Sequence, residues 1–512
     1  MTVPPSPLPY KLMRFRLALT LALCATAFAA TPADTRLAEA AKSGDRAAVI
    51  GLLEKHVDVN SPEIDGTTAL HWAVHRDDVP LVDRLLRAGA NVKAVNRYGI
   101  SPLAEAAVIG NPAVIDKLLK AGADANEKNA DGQTPLMSVA RTGSVESAKL
   151  LISHGADLNA KENWRGQTAL MWASAERLPA MVKELAAHGA DLNARSQVNH
   201  WERDVTAEPR RKYMPLGGWT ALLFAAREGC LDCAKALAEA GADLNLQDPD
   251  GVTPCVTATV NGHYDVAAYL IEKGADVNLA DHWGRAEIWA AVDMHTLPHS
   301  TRPDAVESES VSSTDLLKVV LDHGADVNAA LALFPPYRSL GDRGSDNILG
   351  IGATPILRAA KAGDAMAIQL LLAKGASPNI PNINDVTPLL AAAGLGSRDS
   401  DTRGRYKTET DGIASVKLLL DAGADIQAAD DKGQTAMHGA AFWGWSRMVQ
   451  LLADHGAKVD VKDKKGKTPI DSALGRNGGN GFGGNRIDVH EDTAALLRKL
   501  VAAQSPSAQN AR

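Results

Sequence analysis

The sequence predicts an all-α repeat solenoid of helix–turn–helix units joined by β-hairpin fingers, about 11–12 units along the chain. Three observations predict it. A polar-to-apolar segment recurs, as Asp65-Gly66-Thr67-Thr68-Ala69-Leu70-His71, Asp131-Gly132-Gln133-Thr134-Pro135-Leu136, Asp250-Gly251-Val252-Thr253-Pro254 and Lys432-Gly433-Gln434-Thr435-Ala436-Met437-His438. A turn closes each unit, as Gly122-Ala123-Asp124-Ala125-Asn126, Gly155-Ala156-Asp157-Leu158-Asn159 and Gly274-Ala275-Asp276-Val277-Asn278. The two return about every 33 residues wherever no insertion intervenes, the self-similarity of stacked helical repeats.

Each element has a local reason. Thr68, Thr134, Thr168, Thr220, Thr253, Thr354, Thr387, Thr435 and Thr468 stand where a first helix needs an N-cap acceptor. Pro102, Pro135, Pro254, Pro355, Pro388 and Pro469 follow at the first helical position, where the missing N–H costs nothing. Alanine pairs such as Ala106-Ala107 and Ala359-Ala360 let two helices approach closely, and leucine pairs such as Leu85-Leu86 and Leu150-Leu151 fill the layer between units. The glycine before Ala-Asp ends the second helix in a left-handed turn, and the next Asp/Asn-Gly forms a hairpin tip. One such unit cannot bury its own apolar face, so stacking makes the core and stability is a sum over neighbours.

Together these residues spell G-x-T-P-L-H-x-A-A…LL…G-A-D-x-N, which resembles the ankyrin repeat from about residue 33 to about 500. The resemblance implies a curved array that binds proteins, with fingers and first helices lining a concave side. The residue after the motif histidine is expected to point there: Trp72, Glu105, Ser138, Trp172, Phe224, Thr257, Ala290, Arg358, Ala391, Gly439 and Ser472. Aromatic and arginine anchors are enriched at interfaces. The candidate partner-binding residues are therefore Trp72, Tyr98, Glu105, Trp164, Trp172, Trp219, Phe224, Trp283 and Arg358. The competing reading is that these rings cover neighbouring helices or pack under insertions.

The organisation follows from the period and its interruptions. Residues 1–30 read as a secretory signal peptide: Lys11, Arg14 and Arg16 precede the apolar run Leu17 to Ala29, which ends in Ala27-Phe28-Ala29. Met13 makes a cleaner start than Met1, and Leu23 before Cys24 departs from a lipid-attachment pattern. Residues 31–62 are expected to form an N-terminal capping repeat without a hairpin, 63–330 a first block of repeats, 331–351 a long inserted finger loop, 352–500 a second block with its C-terminal cap, and 501–512 a disordered tail. Insertions at 196–217 and 330–351 lengthen fingers; those at 297–313, 397–411 and 475–488 lengthen turns at the opposite edge.

Composition narrows the function. Among 512 residues, 45% are hydrophobic but only 4% aromatic, which suits small-residue helix packing. The formal charge of −7 gives no reason to expect nucleic acid or anionic lipid as the main partner. No apolar run after the leader approaches membrane-spanning length. His71 and His75 have a metal-ligand spacing, but His71 occupies the motif's own histidine position, where a backbone bond to the next repeat is expected. Cys230-x-x-Cys233 opens a second helix, where thiol pKa values drop; a local disulfide and two small buried apolar side chains both fit, and Cys255 replaces a buried leucine. Gly479-x-Gly481-x-x-Gly484 lies in a Gly/Asn-rich run with no strand before it, unlike a phosphate cradle. No cofactor, metal or catalytic set is expected. The expectation is a monomeric, non-catalytic, periplasmic or secreted scaffold for another protein. The alternatives are an accessory or protective factor for an exported enzyme, in an oxidative-stress or envelope role, and a secreted host-directed effector.

Overall fold

The computed structural model describes residues 34–201, 204–207, 210–213, 216–296, 310–333, 348–397, 407–475 and 489–504. The expected signal segment with Cys24, the Gly479–Gly484 run and parts of all five expected insertions lie outside them. The chain forms two compact units, Met1–Glu105 and Ala106–Arg512. Helices come in consecutive pairs. The first unit holds α1 (Arg36–Ser43), α2 (Arg46–Glu54), α3 (Ala69–His75) and α4 (Val79–Arg87). Next along the chain are α5 (Pro102–Ile109), α6 (Pro112–Lys120), α7 (Pro135–Thr142), α8 (Val145–Ser153), α9 (Ala169–Ala175) and α10 (Pro179–Ala187). A hairpin of β1 (Asp204–Ala207) and β2 (Arg210–Tyr213) precedes α11 (Ala221–Glu228), α12 (Leu231–Glu239), α13 (Pro254–Val260), α14 (Tyr264–Glu272), α15 (Glu287–Thr296) and α16 (Ser313–Asp322). The chain continues through α17 (Pro355–Ala362), α18 (Ala365–Ala373), α19 (Pro388–Ala392), α20 (Glu409–Asp421), α21 (Ala436–Phe442), α22 (Ser446–Asp454), α23 (Pro469–Ala473) and α24 (Glu491–Gln504).

The motif residues act as their chemistry requires. Thr134, Thr253 and Thr354 accept the N–H of Met137, Val256 and Leu357 at 3.3, 3.1 and 3.3 Å. At the closing turns Gly122 and Gly274 adopt φ of 93° and 97°. A Cβ there would meet nothing within 4 Å, so backbone conformation and not crowding selects glycine. The residue four before that glycine is fully buried throughout: Leu85, Leu118, Leu151, Leu185, Leu237, Leu270, Val320, Leu371, Leu419 and Leu452. Its partner in the Leu-Leu pair is less buried, as at Leu86 and Leu150.

Two ladders register the stack. The asparagine that ends most of the turns accepts the next unit's backbone N–H, as Asn126 from Asp157 at 2.7 Å and Asn245 from Asp276 at 2.8 Å. It also donates to the next turn glycine, as Asn126 Nδ2 to Gly155 O at 2.8 Å. Successive finger tips share one backbone bond, such as Asn163 N to Asp131 O at 2.8 Å and His282 N to Asp250 O at 2.8 Å. Inside the second unit the asparagine ladder continues past the insertions: Asn193 accepts from Asp243, Asn278 from Asp326, Asn328 from Ser377 and Asn379 from Asp425. The register of the stacked helices is therefore kept across them.

Two details differ from the sequence expectation. The insertion after Arg195 contains an antiparallel ribbon, Asp204 opposite Tyr213, seated on a Val198–Gly217 bridge. In addition, α24 runs through Gln504, so residues 501–504 of the expected tail are helical; Leu497 is fully buried and Gln504 Nε2 donates to Ala457 O at 3.3 Å.

Candidate protein-interaction surface

The row of first-helix residues expected to face a groove divides into accessible and buried parts. Trp72, Glu105, Ser138 and Trp172 are partly accessible. Phe224 is 8% exposed, Thr257 4%, Ser472 1%, and Ala290, Arg358 and Ala391 0%. The physical reasons are visible. Arg358 Nε donates to Asp293 Oδ1 at 2.7 Å, and both side chains are sealed from water. A Cβ on Gly439 would lie 2.7 Å from Leu395 N, so main chain occupies that stretch of the face. Trp283, 7% exposed, lies beside the buried Arg285–Asp281 pair. Phe224, Trp283 and Arg358 are thus committed to the fold and offer no open surface for a partner, against the sequence expectation.

In the first unit the accessible residues form a cluster. Trp72 Nε1 donates to Glu63 Oε2 at 3.1 Å, Lys42 Nζ lies 4.5 Å above the indole, and His75 meets its edge at 5.6 Å. His75 Nδ1 lies 2.6 Å from Glu105 Oε1, which links Trp72 to Glu105. Tyr98 and Ile64 stand at finger tips, 69% and 92% exposed.

In the second unit Trp164 is 77% exposed at a finger tip, and the sequence explains why. Elsewhere a tip aspartate or asparagine accepts two backbone N–H groups, as Asp463 Oδ1 does from Lys465 and Lys467 at 2.8 Å each. This tip is one residue longer, and Glu162 replaces the shorter side chain. Glu162 Oε1 reaches Arg165 N at 2.8 Å and Gln167 N at 2.9 Å, and Oε2 reaches Trp164 N at 2.6 Å. The extra residue bulges outward and carries the indole into solvent, where the Arg165 guanidinium lies 4.9 Å from its ring. Arg141 lies 5.7 Å from the Trp172 ring and pairs with Glu176 at 3.2 Å; the Trp172 Nε1–H has no acceptor among the described residues. Trp219 meets Phe224 edge-on at 5.4 Å under Arg227 at 5.5 Å.

The cations beside these rings were absent from the sequence-derived set. A signal was present: a basic residue two before the glycine that ends a first helix, at Lys42, Arg141 and Arg227. The histidines behave as the motif implies. His71 Nε2 lies 3.0 Å from Ile100 O, and a carbonyl can only accept, so that nitrogen carries the proton and Nδ1 accepts from Thr68 N at 3.2 Å. Burial holds the His71 and His438 imidazoles below their usual pKa, which favours this neutral form. Cys230 and Cys233 are bonded, with Cα atoms 5.2 Å apart, and Cys255 is a buried thiol.

Comparison with known proteins agrees with this architecture. Residues 37–129, 104–196, 202–281 and 408–481 match the family model described as ankyrin repeats in three copies, and residues 351–383 match the single ankyrin repeat. The chain belongs to the ankyrin-repeat family. Curated relatives include "Ankyrin repeat domain-containing protein 40" from Homo sapiens and from Mus musculus, each 44% identical over 69 residues, 13% of this chain and 19% of theirs. The chain thus spans about a fifth of the length of the curated relatives it matches. Ankyrin-repeat proteins commonly mediate protein–protein interaction and are generally non-catalytic scaffolds.

Proposed function

We propose that this ankyrin-repeat protein is a non-catalytic scaffold that holds another protein against its finger tips and the adjoining accessible indoles. Trp164 carries the reading. A large ring held three-quarters in water by an extra finger residue stabilises nothing inside its own unit, and a Trp–Arg pair is the composition of an interface anchor. Trp172 and Trp219 extend that surface within the second unit; Trp72, Glu105 and Tyr98 supply a candidate surface on the first. The leader-like residues 1–30 support export, which makes an exported protein the natural partner, and an accessory or protective role toward an exported enzyme follows from that placement. The test is affinity capture from a periplasmic extract with wild-type protein, Trp164→Ala and Tyr98→Ala. Trp164→Ala is expected to lose partners that wild type retains while melting at the same temperature. Equal capture by all three proteins would overturn the assignment of the binding surface.

A further inference from the structure

The last two fingers carry a feature that neither the fold nor the aromatic surface uses. Between residues 458 and 467 stand Lys458, Lys462, Lys464, Lys465 and Lys467, against two carboxylates, Asp460 and Asp463. Asp463 is buried, because it accepts the N–H groups of Lys465 and Lys467 and shapes the tip. Lys458, Lys462, Lys464 and Lys465 are exposed, and so is Lys432 on the preceding tip. Lys464 N donates to Lys432 O at 2.8 Å, so the two tips lie side by side. None of these lysines forms an ion pair with a described carboxylate. The corresponding tips elsewhere read Arg97-Tyr98, Ala130-Asp131, Pro249-Asp250 and Ile383-Asn384, so the lysines are not a requirement of the finger.

We propose that these two adjacent finger tips form a lysine comb that docks a short acidic segment of a protein partner, an inference that rests on the scaffold reading above. Like charges gathered on neighbouring tips without an ion pair to a described carboxylate repel one another and are relieved by an external anion. A short acidic peptide fits better than a long polyanion. The chain as a whole carries −7, and Asp431 and Asp460 are exposed beside the lysines. A phosphate polymer longer than the two tips would run beyond the local positive field, which decays over a Debye length of about 8–10 Å, into that of an acidic protein. Tips on units whose helices pack about 10 Å apart are spanned by about three extended residues, well within a short acidic segment.

The experiment uses the full chain and three probes: fluorescein-labelled hexaglutamate, a thymidine hexanucleotide, and phosphatidylserine-containing vesicles. Binding is read by anisotropy and co-sedimentation across a salt series. Wild type is expected to bind hexaglutamate more tightly than the other two. The variant combining Lys462→Gln, Lys464→Gln and Lys465→Gln is expected to bind it roughly tenfold or more weakly, with a shallower salt dependence. These side chains are exposed, so its melting temperature should match wild type. Absence of hexaglutamate binding, an unchanged affinity in the variant, or preference for the oligonucleotide or the vesicles each overturns the comb. Trp164→Ala is expected to bind hexaglutamate as wild type does. If hexaglutamate fails while partner capture still depends on Trp164, the comb alone falls; if that capture is independent of Trp164 while hexaglutamate binds, the aromatic surface alone falls.

Discussion

Glu287 offers the sharpest test of how the units are stacked. It occupies the position of the motif proline at the start of α15 and is 1% exposed. Thr259 and Cys255 of α13 face it, the Thr259 hydroxyl donating to Oε1, and Arg285 lies in its own finger. Its Oε2 has no hydrogen-bond partner among the described residues. Burial pushes the carboxyl from an ordinary 4.5 up to about 7, against the smaller opposing effects of Thr259, Cys255 and Arg285. The folded protein therefore holds this proton to higher pH than the unfolded chain. Between pH 4.5 and about 7 the unfolded chain ionises first, so stability falls as pH rises through that window and is level above it. That span, at about 1.4 kcal/mol per pH unit, is worth about 3 kcal/mol. Glu287→Gln keeps an acceptor for Thr259 and removes the charge. It should match wild type near pH 4.5 and exceed it by about 3 kcal/mol near pH 8.5. Urea melts across this range give the difference. Amide exchange in α13–α16 localises it, because repeat arrays open in parts. Parallel pH profiles for the two proteins, or a Gln variant less stable than wild type in alkali, would refute the reasoning.

Other substitutions probe the same stack. Asp293→Asn leaves the sealed Arg358 guanidinium without its carboxylate and should cost about 3–5 kcal/mol in urea melts. Asn278→Ala removes two bonds across the 297–313 insertion, to Asp326 N at 2.8 Å and Gly324 O at 3.1 Å, and should cost about 1–3 kcal/mol, with faster exchange at the Asp326 amide. Gly229→Ala meets a double constraint, a φ of 67° and a new Cβ that collides with the His263 imidazole. It should cost about 2 kcal/mol or more by thermal melting, and an unchanged melting temperature would mean that His263 moves freely.

The repeat was legible because its signals are local. Thr134, Pro135 and Gly155 each act within a few residues, as N-cap, first helical residue and left-handed stop, so their spacing alone revealed the helix pairs. The backbone bond expected of His71 could be read because it recurs with the repeat, reaching Ile100 O in the next unit. The candidate surface was only half legible. The finger-tip aromatics Trp164 and Tyr98 stand in solvent. Phe224 and Arg358, at the first-helix position after the motif histidine, are buried, because position in a repeat gives a direction and not what lies in that direction. For Arg358 the decisive neighbour, Asp293, stands on the adjacent first helix but 65 residues away in sequence, because two insertions separate them, and so it falls outside any pattern of period 33.

From the order of residues alone come the unit, its caps, its turn and the count of repeats, since each depends on chemistry between neighbours in the chain. The tertiary structure decided which side chains on the inner row remain open to a partner. It also decided that Lys432 and Lys464 stand side by side and that Glu287 keeps its proton near neutrality. These depend on desolvation and on distances between residues a full repeat or more apart, and burial is a property of the stack rather than of any one repeat in it.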